Sequence, residues 1–298
     1  MQRNFPCGLR ILAVAFCLAS QFTAFSQEAQ PETEEQRLDR EMRESSEEHM
    51  RLELGVNEIT APSIAAVLRD LGTFQPVPMS TIAQNDREAV YANRMQTAIH
   101  FGSLVADGFM LTIAERPTDI QDVGKALIRQ SRALGVSDRL TKRSKSLFEL
   151  SEKGDWIGMR EELARTQSDV EKSMLDLRDE EMAHMISLGG WLRGFQLAAK
   201  SCATSYSADR SRILARAEII DYFLDRLDTL HPRLKKTDYA TNLTSSLREL
   251  KTLTLEANEG SLTQEQTLLA SDIADRAVGI ALGPVDAEGR ILKTAPKP

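Results

Sequence analysis

The sequence predicts an all-α fold, an antiparallel helical bundle or array of about seven to eight helices with two apolar, glycine-containing helices at its centre. Between residues 61 and 284, apolar residues recur at steps of three and four, and no alternating strand pattern interrupts them. Prolines, glycines and capping residues separate these periodic stretches by short connections, which favours antiparallel neighbours. A helical-repeat array is an alternative, because short helices follow one another between residues 118 and 170.

Local signals place the ends of individual helices. The segment Asn85-Asp-Arg-Glu88 resembles a capping box and predicts the start of a helix that runs to the Arg116-Pro117 break. Gly135 is expected to cap the next helix, and Asp155 is expected to begin a long one. The last helix is expected to end at Gly283-Pro284.

Two stretches, residues 98–114 and 185–199, are apolar on nearly every side. A helix of this kind lies either in a membrane or in the middle of a core. Both stretches are short and contain a central charge, so we expect them to be core helices. They also align loosely, with Gly108 opposite Gly194, which suggests a faint internal duplication.

The glycines of these stretches need an explanation, because each costs roughly 1 kcal/mol relative to alanine inside a helix. Gly190 and Gly194 are four residues apart, and Gly102 stands close to Ser103 and Ala106. Small residues at this spacing allow two helix backbones to approach closely, which is the interpretation we favour. The alternative is that the missing side chains leave room for a ligand between the central helices.

Asp107 and Arg193 are each the only formal charge in their apolar stretch, and each directly precedes a glycine of the loose repeat. A lone charge is expensive to bury, whereas a paired one is tolerated. We therefore predict a buried carboxylate–guanidinium pair between the two helices. The rival possibility is that Arg193 extends to the surface and Asp107 accepts other hydrogen bonds.

The N-terminus predicts export. Residues 1–26 combine two arginines, an apolar run and small residues at a cleavage position, as a secretory signal does. An uncleaved anchor is the alternative, although the run is shorter than the ~20 residues of a spanning helix. We expect an acidic, marginally helical arm at residues 27–60, an all-helical domain at 61–284 and a flexible tail at 285–298.

Composition limits the class of protein. Removal of the signal takes away two of the three cysteines and leaves Cys202, so no internal disulfide is expected in the exported chain. It also removes two arginines and no acid, which changes the net charge from −7 to −9. Low cysteine content favours a bacterial periplasmic location over an extracellular one. The acidity and the predicted export argue against nucleic-acid binding.

One basic patch stands out in this acidic chain; it comprises Arg129, Arg132, Arg139, Lys142, Arg143 and Lys145. It is either a solvated face of two helices or a site for an anionic partner. The nearest anionic candidate is the chain's own acidic arm.

The sequence offers weak candidates for a ligand or metal site. Glu181 and His184 have the Glu-x-x-His spacing of di-iron bundles, but no second such pair accompanies them. A pocket around His100, Asp107, His184 and Arg193 is the alternative to a purely structural role. We find no catalytic motif and expect no cofactor. The leading hypothesis is an exported, non-enzymatic protein that binds a protein partner or belongs to an assembly; a small-molecule- or metal-binding bundle is the second.

Overall fold

The computed structural model describes residues 75–136, 146–286 and 288–292. Within these residues the chain is helical, and the only β-type pairings are two isolated bridges, Asn258 with Ser261 and Val285 with Ile291. The prediction of an all-α fold is confirmed. The named α-helices of the described residues are α1 (Met79–Ala83), α2 (Arg94–Ile113), α3 (Pro117–Leu134), α4 (Trp156–Asp176), α5 (Glu180–Thr204), α6 (Ala208–Ser211), α7 (Ala217–Asp228), α8 (Pro232–Lys235), α9 (Asp238–Leu255) and α10 (Gln264–Leu282).

Helices α2 and α5 form the centre of the array. Residues 95–112 of α2 and 185–199 of α5 are buried without interruption, as expected for core helices. Among the described helices, none combines the length and the apolarity that crossing a membrane requires. Both apolar stretches therefore make up the core, where they pack against each other and against their neighbours.

The two central helices run in the same direction. Arg94 at the start of α2 pairs with Asp179 just before α5, and Asp107 further along α2 pairs with Arg193 further along α5. Antiparallel helices that lie between α2 and α5 in the sequence account for this shared direction. Arg94 also reaches the carbonyl oxygen of Leu134 at the end of α3, so α3 returns alongside α2 before α4 and α5 follow.

The crossing of α2 and α5 depends on glycine. A Cβ added at Gly102 would lie 1.9 Å from the carbonyl oxygen of Ile186 and 2.6 Å from the backbone nitrogen of Gly190. A Cβ added at Gly189 would lie 2.0 Å from the carbonyl oxygen of Ile99. The predicted close approach is confirmed at Gly102 and Gly190, and Gly189 takes part in it as well.

Helices α9 and α10 form a hairpin beside the central pair. The hydroxyl of Tyr239 donates to the carbonyl oxygen of Ala281 at one end, and Arg276 pairs with Glu249 in the middle. The N-terminus of α10 carries a complete capping box between Thr263 and Gln266. This hairpin places one face of α10 against α5 and α2, where the site described below is built.

Several predicted helix ends are confirmed. Gly135 caps α3 in the left-handed conformation with φ 85°, and the Asp155 carboxylate accepts the backbone N–H of Gly158 at the start of α4. The predicted start of α2 at Asn85 is wrong. Asn93 caps α2 instead, through its side chain and the backbone nitrogens of Met95 and Gln96, because Asn85 is held by side chains of α2 itself.

Residues 285, 286 and 288–292, which belong to the predicted flexible tail, contain local order. Asp286 accepts hydrogen bonds from the backbone nitrogens of Glu288 and Arg290, and the carbonyl oxygen of Gly289 accepts from the backbone nitrogen of Tyr239. The predicted signal, the acidic arm and the start of the helical domain at residues 61–74 lie outside the described residues.

Candidate functional site

Asp107 and Arg193 form the buried ion pair that the sequence predicts. The Arg193 Nε donates to one carboxylate oxygen at 2.7 Å, and its Nη2 lies 3.4 Å from the other. Their side chains are only 0% and 3% exposed, respectively. Two parallel contacts of this kind combine charge with a fixed geometry, which compensates part of the cost of desolvation.

The surrounding polar groups satisfy both partners. Arg193 donates to the backbone oxygen of Thr81 in α1 at 2.8 Å and to the side-chain oxygen of Gln196 at 2.5 Å. Asn85 donates to the second carboxylate oxygen of Asp107 at 2.6 Å. The pair thus ties α1 and the segment after it to both central helices.

Burial raises the pKa of the Asp107 carboxyl, and the Arg193 guanidinium and the Asn85 amide act against that rise. The geometry requires the ionised carboxylate, because a guanidinium has only donors to offer. The arrangement is therefore a neutral, hydrogen-bonded unit at the centre of the protein.

A cleft of about 350 Å³ opens beside this ion pair. Arg193 contributes to its wall, and α10 forms the opposite side. Gly279 of α10 has open space at its Cβ position, with no atom within 4 Å. The residues that line the cleft are Gln84, Asn85, Asp86, Tyr91, Arg193, Gln196, Asp275, Val278, Gly279, Leu282 and Gly283.

The segment 84–93 forms the rim of the cleft and is fastened to α3. Arg129 donates to the carbonyl oxygen of Arg87 at 2.7 Å and pairs with Glu88 at 2.8 Å, and Gln130 donates to the carbonyl oxygen of Ala89. These contacts join the rim to α3, while the side chain of Asn85 joins it to Asp107 of α2.

A series of hydrogen-bonded side chains extends from the far end of the cleft wall. The amide nitrogen of Gln196 donates to Asp275 at 2.8 Å, and Lys200 pairs with the other oxygen of Asp275 at 2.5 Å. Arg193, Gln196, Asp275 and Lys200 therefore form a continuous polar line from the buried ion pair to the surface.

His100 lies behind the cleft. It is 0% exposed, its ring meets the edge of Tyr91 with centroids 5.2 Å apart, and neither ring nitrogen has a hydrogen-bond partner in the described part of the chain. Burial lowers its pKa to about 4, against the opposing influence of Asp86. Burial, followed by the charge of Asp86, raises the pKa of Tyr91 to about 12. His100 is consequently a neutral ring next to the cleft.

Two candidate pocket residues lie elsewhere. His184 faces Tyr222 of α7, with Nδ1 3.1 Å from the phenol oxygen. Gly194 lines a separate cavity under Ile213 and Ile219, whose volume of about 20 Å³ is no larger than one water molecule needs. The Gly108 position faces Leu163 and not Gly194, so the two glycines of the loose repeat do not meet.

The candidate metal ligands do not converge. The Glu181 carboxylate accepts the backbone nitrogen of His231 at 2.7 Å, whereas His184 is engaged with Tyr222. Across residues 75–136, 146–286 and 288–292, no three His, Cys, Asp or Glu side chains are grouped so that they could hold a metal ion.

The basic patch is described only in part. Arg129 is committed to the rim of the cleft, and Arg132 is exposed. The members Arg139, Lys142, Arg143 and Lys145 lie outside the described residues, as does the acidic arm. Contact between the arm and the patch stays a prediction.

The sequence predicts the ion pair but not the polar residues that surround it. The local pattern at Asn85 predicts a helix cap, and Gln196 and Asp275 resemble ordinary polar positions of amphipathic helices. One signal was available for Gln196, because it stands one helical turn after Arg193 in an otherwise apolar stretch.

Comparison of the chain with protein-family models, with curated proteins and with solved structures finds no match. The function must therefore be inferred from the geometry of the cleft and the residues around it.

Proposed function

We propose that this chain is an exported, non-enzymatic binding protein that holds a small polar molecule in the cleft between the 84–93 rim and α10. The observation that carries the proposal is the cleft itself, whose volume of about 350 Å³ lies within the range of small-molecule sites. Its wall combines a few fixed polar side chains with apolar positions of α10, as such sites generally do. Export is supported by the signal-like residues 1–26 alone.

Gly279 gives independent support. A glycine inside a helix costs roughly 1 kcal/mol relative to alanine. At Gly102 that cost is explained by the backbone of the neighbouring helix, but at Gly279 no atom lies near the Cβ position. A side chain at Gly279 would instead occupy the cleft, so glycine at this position keeps the cleft open.

Binding without chemistry is supported by the state of the polar groups. Asp107 and Arg193 are saturated by each other, by Asn85 and by Gln196. A group that is held in this way can position a ligand but is not free to exchange a proton with it.

The test is a thermal-shift screen of small polar molecules with two matched variants. Gly279→Leu fills the cleft. Gly124→Leu is the control, because Gly124 also lies in a helix with no atom within 4 Å of its Cβ position but lines a different cleft, of about 160 Å³, on α3. We expect ligands that raise the Tm of the wild-type protein and of Gly124→Leu, but not of Gly279→Leu. Ligands that act equally on all three proteins would refute the proposed site.

A protein partner is the second candidate, favoured by exposed leucines around the loop between α9 and α10. Leu255, Leu268 and Leu269 are 65%, 49% and 46% exposed. Exposed apolar side chains at one end of a helical hairpin favour contact with a protein. Sedimentation of the wild-type protein and of a Leu255→Lys, Leu268→Lys variant tests self-assembly through this end: association that the variant does not lose would refute it.

A further inference from the structure

The charges around the cleft are almost all matched in pairs. Asp107 neutralises Arg193, and Lys200 neutralises Asp275 at 2.5 Å. A ligand in the cleft therefore meets two neutral pairs and not a free guanidinium.

Asp86 is the exception. It is exposed on the rim of the cleft, and within the described residues its carboxylate accepts only the backbone nitrogen of Glu88, at 2.9 Å. Asn85, directly before Asp86, donates to Ser103 and Asp107, and Arg129 binds the carbonyl oxygen of Arg87 and the carboxylate of Glu88 after it. Asp86 therefore stands on a segment that is held on both sides. The cleft thus has one unmatched negative charge.

The hydrogen-bonding capacity of the cleft has the same bias. Each carboxylate oxygen can accept more than one hydrogen bond, so Asp275 keeps acceptor capacity beside Gln196 and Lys200. The donors of Arg193 are largely consumed by Asp107, Thr81 and Gln196. A ligand anion would find few free donors and would be repelled by Asp86.

A protonated amine has the opposite properties: it carries a positive charge, donates three hydrogen bonds and accepts none. Its charge complements Asp86, and its donors complement the free acceptor positions of Asp86 and Asp275. We infer that the ligand of the cleft belongs to the class of small molecules with a protonated primary amine. This inference rests on the proposed function, because it assigns a ligand class to the same cleft.

The experiment uses the full chain and a set of probes matched in size: butylamine, putrescine, butanol and butyrate, each titrated by ligand-observed NMR. Three variants accompany the wild-type protein. Asp86→Asn removes the unmatched charge at constant volume. Asp209→Asn is the control, because Asp209 is 97% exposed and lies in α6, away from the cleft lining. Gly279→Leu reports whether a probe occupies the cleft at all.

We expect the two amines to bind more tightly than butanol and butyrate, with binding lost in Gly279→Leu. Asp86→Asn should weaken amine binding about threefold to fivefold, as expected for one exposed charge pair, and Asp209→Asn should leave it unchanged. The loss should shrink as salt is added.

Three results would contradict the inference, and they can be told apart. If butanol or butyrate binds in a Gly279-dependent way more tightly than the amines, the cleft binds ligands but the assigned class is wrong. If no probe shows Gly279-dependent binding, the inference fails together with the proposed function. Amine binding that Asp86→Asn leaves intact would also contradict the assigned role of Asp86.

Discussion

Removing both partners of the central ion pair should cost far less free energy of unfolding than the sum of the two single removals. Arg193→Met leaves Asp107 with only Asn85 and deprives Thr81 and Gln196 of their donor, so we expect a loss of about 5 kcal/mol in the free energy of unfolding. Asp107→Asn leaves an uncompensated guanidinium in the core and should cost about 3 kcal/mol. The double variant retains no buried charge at this position, and its loss should fall below the sum by about 3 kcal/mol.

Urea unfolding followed by circular dichroism measures all four proteins. The control cycle uses Arg94→Met and Asp179→Asn. These residues form an ion pair of 2.5 Å between the N-terminal ends of the same two central helices, but Arg94 is 52% exposed. Its coupling should not exceed about 1 kcal/mol, because water screens it. Equal coupling energies in the two cycles would show that burial does not determine the strength of the central pair.

Three further predictions concern single positions. Glu171 is buried, and the partners of its carboxylate among the described residues are the neutral side chains of Gln167 and Ser187. Burial raises its pKa to about 6. Because the folded pKa exceeds the unfolded value of about 4.5, stability that is present below pH 4.5 is lost as the pH rises through about 6. Glu171→Gln, which keeps an acceptor oxygen, should therefore stabilise the protein by about 2 kcal/mol at pH 8 and not at pH 4, measured by urea unfolding. Gly279→Ala should raise the free energy of unfolding by about 1 kcal/mol, because it improves helix propensity without a clash. Gly102→Ala should lower it by about 3 kcal/mol or more, because its Cβ would overlap the carbonyl oxygen of Ile186; a neutral effect would contradict the close crossing.

The control for the pH prediction is Glu161→Gln, an exposed carboxylate of the same helix. If both glutamine variants change stability equally at each pH, the buried position of Glu171 does not explain the effect. Likewise, Gly279→Ala that destabilises the protein would show that its Cβ position is not open.

Much of the fold follows from local sequence, because the signals act where they occur. A glycine at position 135 and an aspartate at 155 set helix ends through their own backbone or nearest neighbours. The break between α4 and α5 had no such signal: Arg178 adopts φ 57° without glycine or proline nearby, and Leu177 is left exposed. A turn formed by an ordinary residue is decided by packing of the flanking helices.

The candidate site is likewise predictable from the sequence only in part. The lone charges Asp107 and Arg193 could be paired in advance because burying either one alone is prohibitive. The two glycines that follow these charges face different helices, so the loose alignment of Gly108 with Gly194 does not correspond to a contact between them. Asn85 and Asp275 could not be found, because both come from segments distant in sequence whose local pattern suits a cap or a solvated helix face.

The parallel direction of α2 and α5 has a consequence for how the chain is made. Their ion pair joins residues 86 positions apart, so α2 leaves the ribosome long before its main neighbour exists. Throughout that interval an almost wholly apolar helix is covered by α3 and then α4 but not by α5, and contacts of such long separation form slowly. Nascent chains that end before residue 204 should consequently be prone to aggregation and should need a holding chaperone until α5 is complete.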